Sequence, residues 1–482
     1  MYLCDQIVFL TNVVLKSSVY PKFLKKTRLC PIYKGKGDKT NVESYRPITI
    51  VPTISKLIEA IMAETIMAHL EKNKLLHNSQ YAYRRGQSTT TATLKFLDCV
   101  TAGLEQKQKV AGIFLDLSKA FDTVNHKLLL EKLKTYGIRE KAIELIESFL
   151  SEREQIVEIK INGKKLRSMA QNVKIGVPQG SALGNVLFLT FLNDIATLKT
   201  NGTMILYADD TTLVVSAEND TQLVTVIKET MCTLEDWFKV NGLILNTHKT
   251  NIMFYSAVSS KGALKHVTFD NGNTQEGVEN IELLGFQIDP TLNWKQHVNT
   301  VCRKMSKGIY ALRQLRPFVS TECLKNTYFA YIHSIMSYGI VLWGNSTDTE
   351  RVLKMQKKAI RTLVNAKYRD SCREHFKNLQ ILTSVSLYIL EVIMYIRKNL
   401  TQFGVTRNGK NLLIQQHRLN VTKRLPKIMG VNLYNKLPWC IKNTQSDNVF
   451  RHRVRMLLLE KTLYSIKEFL NNDYKAFAMK YQ

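Results

Sequence analysis

Apolar residues recur along this chain with two periods, and the places where the period changes mark its elements. Arg28 to Lys34 and Tyr45 to Ile50 read as two strands around the loop Gly35-Lys36-Gly37-Asp38-Lys39. Ile54, Leu57, Ile58, Ile61, Met62, Ile66 and Leu70 follow helical spacing, so 53–77 is predicted to be helical and to build core. A shorter apolar run at 7–15, interrupted by Asn12, also reads as a core helix. Ile113 to Leu115 is an apolar strand that ends at Asp116. Residues 127–150 read as two helices parted by Tyr136-Gly137, and Gln155 to Ile161 alternates up to the hairpin pair Asn162-Gly163. Ser181 to Leu192 is apolar on every side, as a buried helix would be. Met204-Ile205-Leu206 and Leu213-Val214-Val215 flank Tyr207-Ala208-Asp209-Asp210, which predicts a strand, a tight turn and a returning strand. A helix follows over about 219–240. Ile281 to Ile288 reads as a strand, and the chain beyond Trp294 reads as mostly helical. Strands alternating with long helices and ending in hairpins predict an α+β fold with helices on one face of a sheet.

Composition narrows the class. The 482 residues suggest roughly two to four domains or subdomains. A hydrophobic content of 45% suffices for a globular core and excludes a disordered chain. The net charge of +28 points to a polyanionic partner. Nucleic acid is favoured over a membrane surface, because no long apolar span or basic amphipathic anchor stands out. The excess is uneven: residues 291–482 hold 33 Lys and Arg against 10 Asp and Glu, a net of +23. Eight scattered cysteines without a Cys-x-x-Cys pair argue against a zinc knuckle or a disulfide framework and for a reducing compartment. The apolar run at 7–15 lacks a charged n-region and an obvious cleavage site, so it is expected to be a core helix rather than a signal peptide.

The chemistry concentrates in carboxylates at two strand ends. Asp209 and Asp210 sit side by side at a turn, where they repel each other unless a cation lies between them. Hard oxygen ligands suit Mg²⁺ or Mn²⁺. Asp116 supplies a third carboxylate from a separate strand. The basic hairpin at 28–50 could close on a triphosphate through the fork of Arg46 and, secondarily, Lys34, or could be a solvated loop.

Four segments occur in order: FLDLSKAFDTVNH at 114–126, GVPQGSALG at 176–184, YADD at 207–210 and LNTHKT at 245–250. In type and order they resemble the polymerase palm of reverse transcriptases, and more narrowly those of jockey-type non-LTR retrotransposons. The resemblance implies a right-hand polymerase fold with fingers at 1–110, a palm at 111–280, primer grip and helical thumb at 281–345, and a basic, mainly helical C-terminal region at 346–482. It implies that Asp116, Asp209, Asp210 and the backbone carbonyl of Leu117 hold two Mg²⁺ ions, with Mn²⁺ as a substitute. Phe121 matches the steric gate that excludes a 2′-hydroxyl. Gln179 and Gly180 match the segment beneath the incoming nucleotide. Arg46 matches an Arg-Pro-Ile/Leu segment that contacts template or nucleotide, and Lys249 a lysine near the leaving pyrophosphate. Leu284, Gly285 and Phe286 match the primer grip. Tyr83 and Arg84, in a Gln-Phe-Gly-Phe-Arg-Lys-Gly-like segment, are candidates for template support. Asn185 departs from the pattern, since many relatives carry proline there. Asp122 is expected to have a structural role, capping or pairing near a helix start.

The function so implied is RNA-directed DNA synthesis from a primer, with an RNA template, a DNA primer or target and dNTPs as partners. Action in the nucleus after cytoplasmic assembly on RNA is expected, with no membrane partner; oligomeric state is not legible. Met1 opens almost directly on domain sequence, and neither an endonuclease, an RNase H-like domain nor a Cys-His knuckle is recognisable, so a truncated element is expected. Two rival readings share parts of this pattern. A catalytically silent or co-opted nucleic-acid binder would explain the abrupt start, and an RNA-dependent RNA polymerase would share the carboxylates. The surviving aspartates, Phe121 and Gln179 weigh against the silent binder, and Phe121 with the Tyr-Ala-Asp-Asp pattern favours the DNA-making branch.

Overall fold

In the computed structural model, residues 3–35, 37–247, 249–256, 264–270, 272–409 and 411–474 are described. Lys36 of the basic loop and His248 of the fourth motif lie outside the described residues. The chain divides into two compact units: the first comprises 1–92, 111–252 and 266–276, the second 93–110, 253–265 and 277–482.

The first unit opens with helix α1 (Cys4–Ser17), followed by β1 (Lys26–Tyr33), β2 (Tyr45–Ile50) and α2 (Thr53–Lys72). α1 is helical as expected but is no core helix: only Thr11 and Val14 are buried, while Val8, Phe9, Val13 and Leu15 are exposed. Periodicity reports an apolar face, not what covers it. On α2 the burial is also one-sided. Ile58, Met62, Ile66 and Leu70 face inward, whereas Ile54, Leu57 and Ile61 face out.

After α3 (Thr89–Glu105), most of which belongs to the second unit, come β3 (Lys109–Leu115), the short β4 (Leu117–Ser118), α4 (His126–Thr135) and α5 (Glu140–Leu150). The expected break between α4 and α5 falls at Tyr136-Gly137, where Gly137 has φ +83°. Asn125, not Asp122, caps α4, its side chain accepting from the Leu128 N–H at 3.1 Å. β5 (Arg153–Ile161) turns through Asn162-Gly163, both at positive φ, into β6 (Lys164–Arg167), and β7 (Gln171–Val173) returns along β5. β2, β1, β5 and β6 lie side by side; β1–β2 and β5–β6 are antiparallel, whereas β1 and β5 run parallel.

The helix α6 (Ala182–Leu192) is buried along nearly its whole length and packs against α2 and α4. β8 (Gly202–Tyr207) and β9 (Asp210–Ala217) form the expected antiparallel hairpin, and α7 (Asp220–Val240) packs on β9. β10 (Ile244–Leu245) pairs with β4, and β11 (Asn251–Tyr255) completes a four-stranded sheet in the order β11-β3-β9-β8. β3 is buried at every residue after Lys109, which is why it reads as an unbroken apolar run. A small hairpin, β12 (His266–Thr268) with β13 (Thr274–Glu276), ends the unit.

In the second unit, 281–288 is not one strand but a hairpin, β14 (Ile281–Leu283) and β15 (Phe286–Ile288), turned by Leu284-Gly285. Everything described beyond it is helical or irregular apart from a bridge between Val405 and Leu412, starting with α8 (Lys295–Leu315). A single π-turn interrupts the helical run at Phe329–His333. The helix at Ser384–Lys398 is the unit's axis: it is buried almost all round and packs against the helices Pro426–Asn435 and Asp447–Lys461. The fully buried Gln356 beside it donates to Tyr328 Oη and Leu382 O, and accepts from the Ser384 N–H. No described helix is long and apolar enough to cross a membrane.

Candidate active site

The sheet brings the candidate carboxylates together from two strands. β3 ends in a buried apolar run that delivers Asp116 at its edge. The β8–β9 hairpin closes through Ala208-Asp209, with Tyr207 opposite Asp210. Ala208 holds the left-handed conformation at φ +55°, which a residue with a Cβ adopts only under local constraint. Its small methyl group is buried there.

Electrostatics tie the three aspartates into one site. Burial pushes the Asp209 carboxyl above its usual range, and the charge of Asp116 adds to this. Asp210 is pushed up to about 6 by its close protein surroundings, then by Asp209 and Asp116, although part of its surface is open to solvent. Arg46, exposed on β2, counters both shifts and therefore lies within electrostatic reach of both carboxylates. Lys249 is not a free surface lysine: its Nζ lies 3.2 Å from Asp116 Oδ2. The fourth motif is anchored by main chain, since the Asn246 N–H donates to Asp116 O at 2.9 Å and Lys249 N–H donates back to Asn246 O. Leu245 and Leu117 therefore face each other as a non-hydrogen-bonded pair, which turns the Leu117 carbonyl away from β10.

The donor set suits hard divalent cations, because three carboxylates repel one another and one of them already draws a lysine. Among the described residues no group of three acidic, His or Cys side chains stands ready as a ligand set.

The loop 176–181 lies against this region. Val177 N–H donates to Phe121 O and Gly176 N–H to Val124 O, each at 2.8 Å. His126 contacts Gly176 O through Nε2 at 2.7 Å, and a Cβ on Gly176 would fall 2.7 Å from Asp122 O. On the other side Thr49 N–H donates to Gln179 O at 3.0 Å. Gly180 has φ +106°, and a side chain there would press on Thr49 O at 3.2 Å. Phe121 is buried and stacked on Phe188 of α6, ring centroids 4.2 Å apart.

Other candidates fall elsewhere. Lys34 donates to Glu43 O at 2.7 Å and so closes its own loop. Arg84 makes a two-pronged pair with Glu71, at 2.8 and 2.9 Å, a structural role. Its neighbour Tyr83 is partly exposed with φ +56°, and partial desolvation, then the charge of Asp209, pushes its hydroxyl up to about 12. Residues 79–81 pair with Leu206 through two main-chain hydrogen bonds, which brings Tyr83 towards the hairpin. In the second unit Leu284 and Gly285 form a two-residue turn with φ +50° and +84°. Tyr338 donates to Leu284 O at 2.7 Å. Phe286 is fully buried and stacked on Tyr338, so it supports the turn from within. Sequence reasoning passed over His126, whose only signal was its place at the end of the first motif.

The family described as Reverse transcriptase (RNA-dependent DNA polymerase) matches residues 34–288, more than half of the chain. This chain belongs to the reverse transcriptase family. Within it the chain is jockey-like. It is 26% identical over 380 residues to the probable RNA-directed DNA polymerase from transposon BS of Drosophila melanogaster, covering 74% of this chain and 40% of that one. It is 24% identical over 383 residues to the RNA-directed DNA polymerase from mobile element jockey of the same species, covering 77% and 41%. The chain thus spans about two fifths of the curated relatives it matches. Among solved structures, apo telomerase from Candida Tropicalis aligns at 12% identity with a TM-score of 0.42, over 84% of this chain and 73% of that one. The family generally uses divalent metal ions.

Proposed function

We propose that this chain is the polymerase portion of a jockey-like non-LTR retrotransposon, an RNA-directed DNA polymerase that extends a primer 3′-hydroxyl with dNTPs on an RNA template. The observation that carries this reading is the sheet, in which β3, ending just before Asp116, lies beside β9, which begins at Asp210. On this reading Asp116, Asp209, Asp210 and the Leu117 carbonyl hold divalent cations, Mg²⁺ first and Mn²⁺ in its place. Such cations, when bound, supply the activation of the attacking oxygen and the neutralisation of the leaving pyrophosphate.

The protein's own groups then divide the remaining work. Arg46 lies where a triphosphate would approach the carboxylates, and its planar fork suits phosphate oxygens. Gln179 and Gly180 present side chain and bare backbone to the nucleotide. Phe121 backs the sugar, its ring held by Phe188 so that a 2′-hydroxyl has no room. Lys249, paired with Asp116 here, would neutralise the leaving pyrophosphate, with a cation at Asp116 supplying the positive charge that the lysine gives that carboxylate in this structure. The Leu284-Gly285 turn, with Phe286 beneath it, holds the primer. Fingers at 1–110, palm at 111–280, thumb at 281–345 and a nucleic-acid-tracking C-terminal region at 346–482 are the corresponding division of labour. The site of action is the nucleus.

Primer extension on poly(rA)/oligo(dT) with Mg²⁺, run beside Asp209→Asn, tests this. Extension by the parent and its loss in the variant is the expected outcome. A folded parent that binds the template–primer but never extends it would instead mark a silent nucleic-acid binder.

A further inference from the structure

The loop that carries Gln179 and Gly180 is tied on a third side to a carboxylate that no motif includes. Glu59 is fully buried on α2, a place where an acidic residue persists only if every oxygen is satisfied. Its Oε1 accepts from Ser55 Oγ at 2.6 Å, and its Oε2 accepts from Ser181 Oγ. Ser55 Oγ in turn bonds the Tyr20 hydroxyl at 2.7 Å, and Ser181 Oγ accepts from the Gly184 N–H at 3.0 Å. Arg153, also buried, lies within electrostatic reach of Glu59 and is held by Phe149 O and the Phe149 ring.

The directions of these bonds matter. Because both Glu59 oxygens accept, the Ser181 proton is committed to Glu59 and its lone pair to Gly184 N–H. Ser181 caps α6 and follows Gly180 directly, so its rotamer and its backbone are pinned together. Apolar residues of similar volume would fill that space without needing polar partners, so a buried carboxyl group bonded to the loop points to position rather than to stability.

We propose that Glu59 is a positioning residue: through Ser181 it holds Gln179 and Gly180 in register for the incoming nucleotide, an inference that rests on the polymerase reading above. Glu59→Gln keeps the shape but presents an NH₂ where one hydroxyl needs an acceptor. Ser181→Ala removes the link at the loop itself and serves where Glu59→Gln fails to fold.

In the full chain, Glu59→Gln and Ser181→Ala are expected to raise KM for dTTP about tenfold, the upper end of the net worth of one intramolecular hydrogen bond. KM for the template–primer should not move. Unchanged KM for dTTP with kcat falling alongside thermal stability would overturn the inference. Hydrogen exchange supplies a readout without substrate. Faster exchange across 176–184 in Glu59→Gln, with 204–215 unchanged, supports the clamp; unchanged exchange across 176–184 defeats it. A parent that extends no primer while these variants still loosen 176–184 refutes the polymerase reading and leaves the Glu59–Ser181 clamp standing.

Discussion

Asp210 shows what the site costs the protein that carries it. Its carboxyl is pushed up to about 6, against about 4 in an unfolded chain, by its close protein surroundings and then by two neighbouring carboxylates, although part of it is open to solvent. A group whose acid is weakened by folding contributes stability that is fully present below its unfolded value and is lost as pH rises through its folded one. The cation-free protein should therefore lose this contribution between about pH 4 and pH 6. Melting in EDTA at pH 5 and pH 7 checks this: Asp210→Asn is expected to narrow the gap between the two temperatures by raising the pH 7 value. Added Mg²⁺ should raise melting of the parent more at pH 7 than at pH 5, and should do little for the variant. An unchanged gap would mean that Asp210 is solvated in the folded state. At this scale the acidic residues were legible because Asp-Asp in a turn and an Asp at a strand end are local patterns. Lys249 was half legible: its motif was visible, but not its ion pair with Asp116, which needs β10 beside β4.

Elements show how turn chemistry and tertiary support share the work. The Asn162-Gly163 hairpin follows from two residues that tolerate positive φ. Leu284-Gly285 carries no such signal at Leu284, and 281–288 consequently read as one strand. What holds the turn is Tyr338, which bonds Leu284 O and stacks on Phe286. Gly339 makes room for that stack: its φ is +55°, and a Cβ there would run into the Phe286 ring. Gly339→Ala is expected to destabilise the protein by about 3 kcal/mol, overpacking plus an unfavourable backbone. Gly409 has a similar φ of +64° but nothing within 4 Å of the added carbon, so Gly409→Ala should cost only about 1 kcal/mol. Equal costs in denaturant unfolding would rule out the ring contact as the cause. α1 illustrates the opposite limit. Its period predicted a helix correctly, yet its apolar face is largely exposed.

The whole molecule is dominated by charge. A net charge of +28, with +23 in 291–482, makes counterion release the main driving force for any nucleic acid it binds. If about six phosphates are neutralised, log K against log salt should fall with a slope near −5, roughly a thousandfold between 50 and 200 mM. Titration of a fluorescent RNA–DNA duplex across that range checks the slope. A slope near −1 would show that the basic C-terminal surface is spent on internal pairs or left unused. Some of it is so spent: Arg397 pairs with Asp447 and caps three carbonyls, and Arg373 pairs with Glu468. Composition cannot distinguish those arginines from the ones that face solvent.

Local order was therefore written in the chain itself. Strand, turn and strand around Tyr207 to Asp210, the two helices of 126–150 and the apolar α6 all follow from short-range periodicity and steric preference, which act within a few residues. The family, too, was legible, because its motifs are contiguous. What folding alone decided were the long-range facts: which apolar faces are covered, that Lys249 meets Asp116, and that Glu59 on α2 reaches Ser181 across 122 residues. Those depend on the loop-closing pairings of distant strands and helices, and no window of sequence contains both partners.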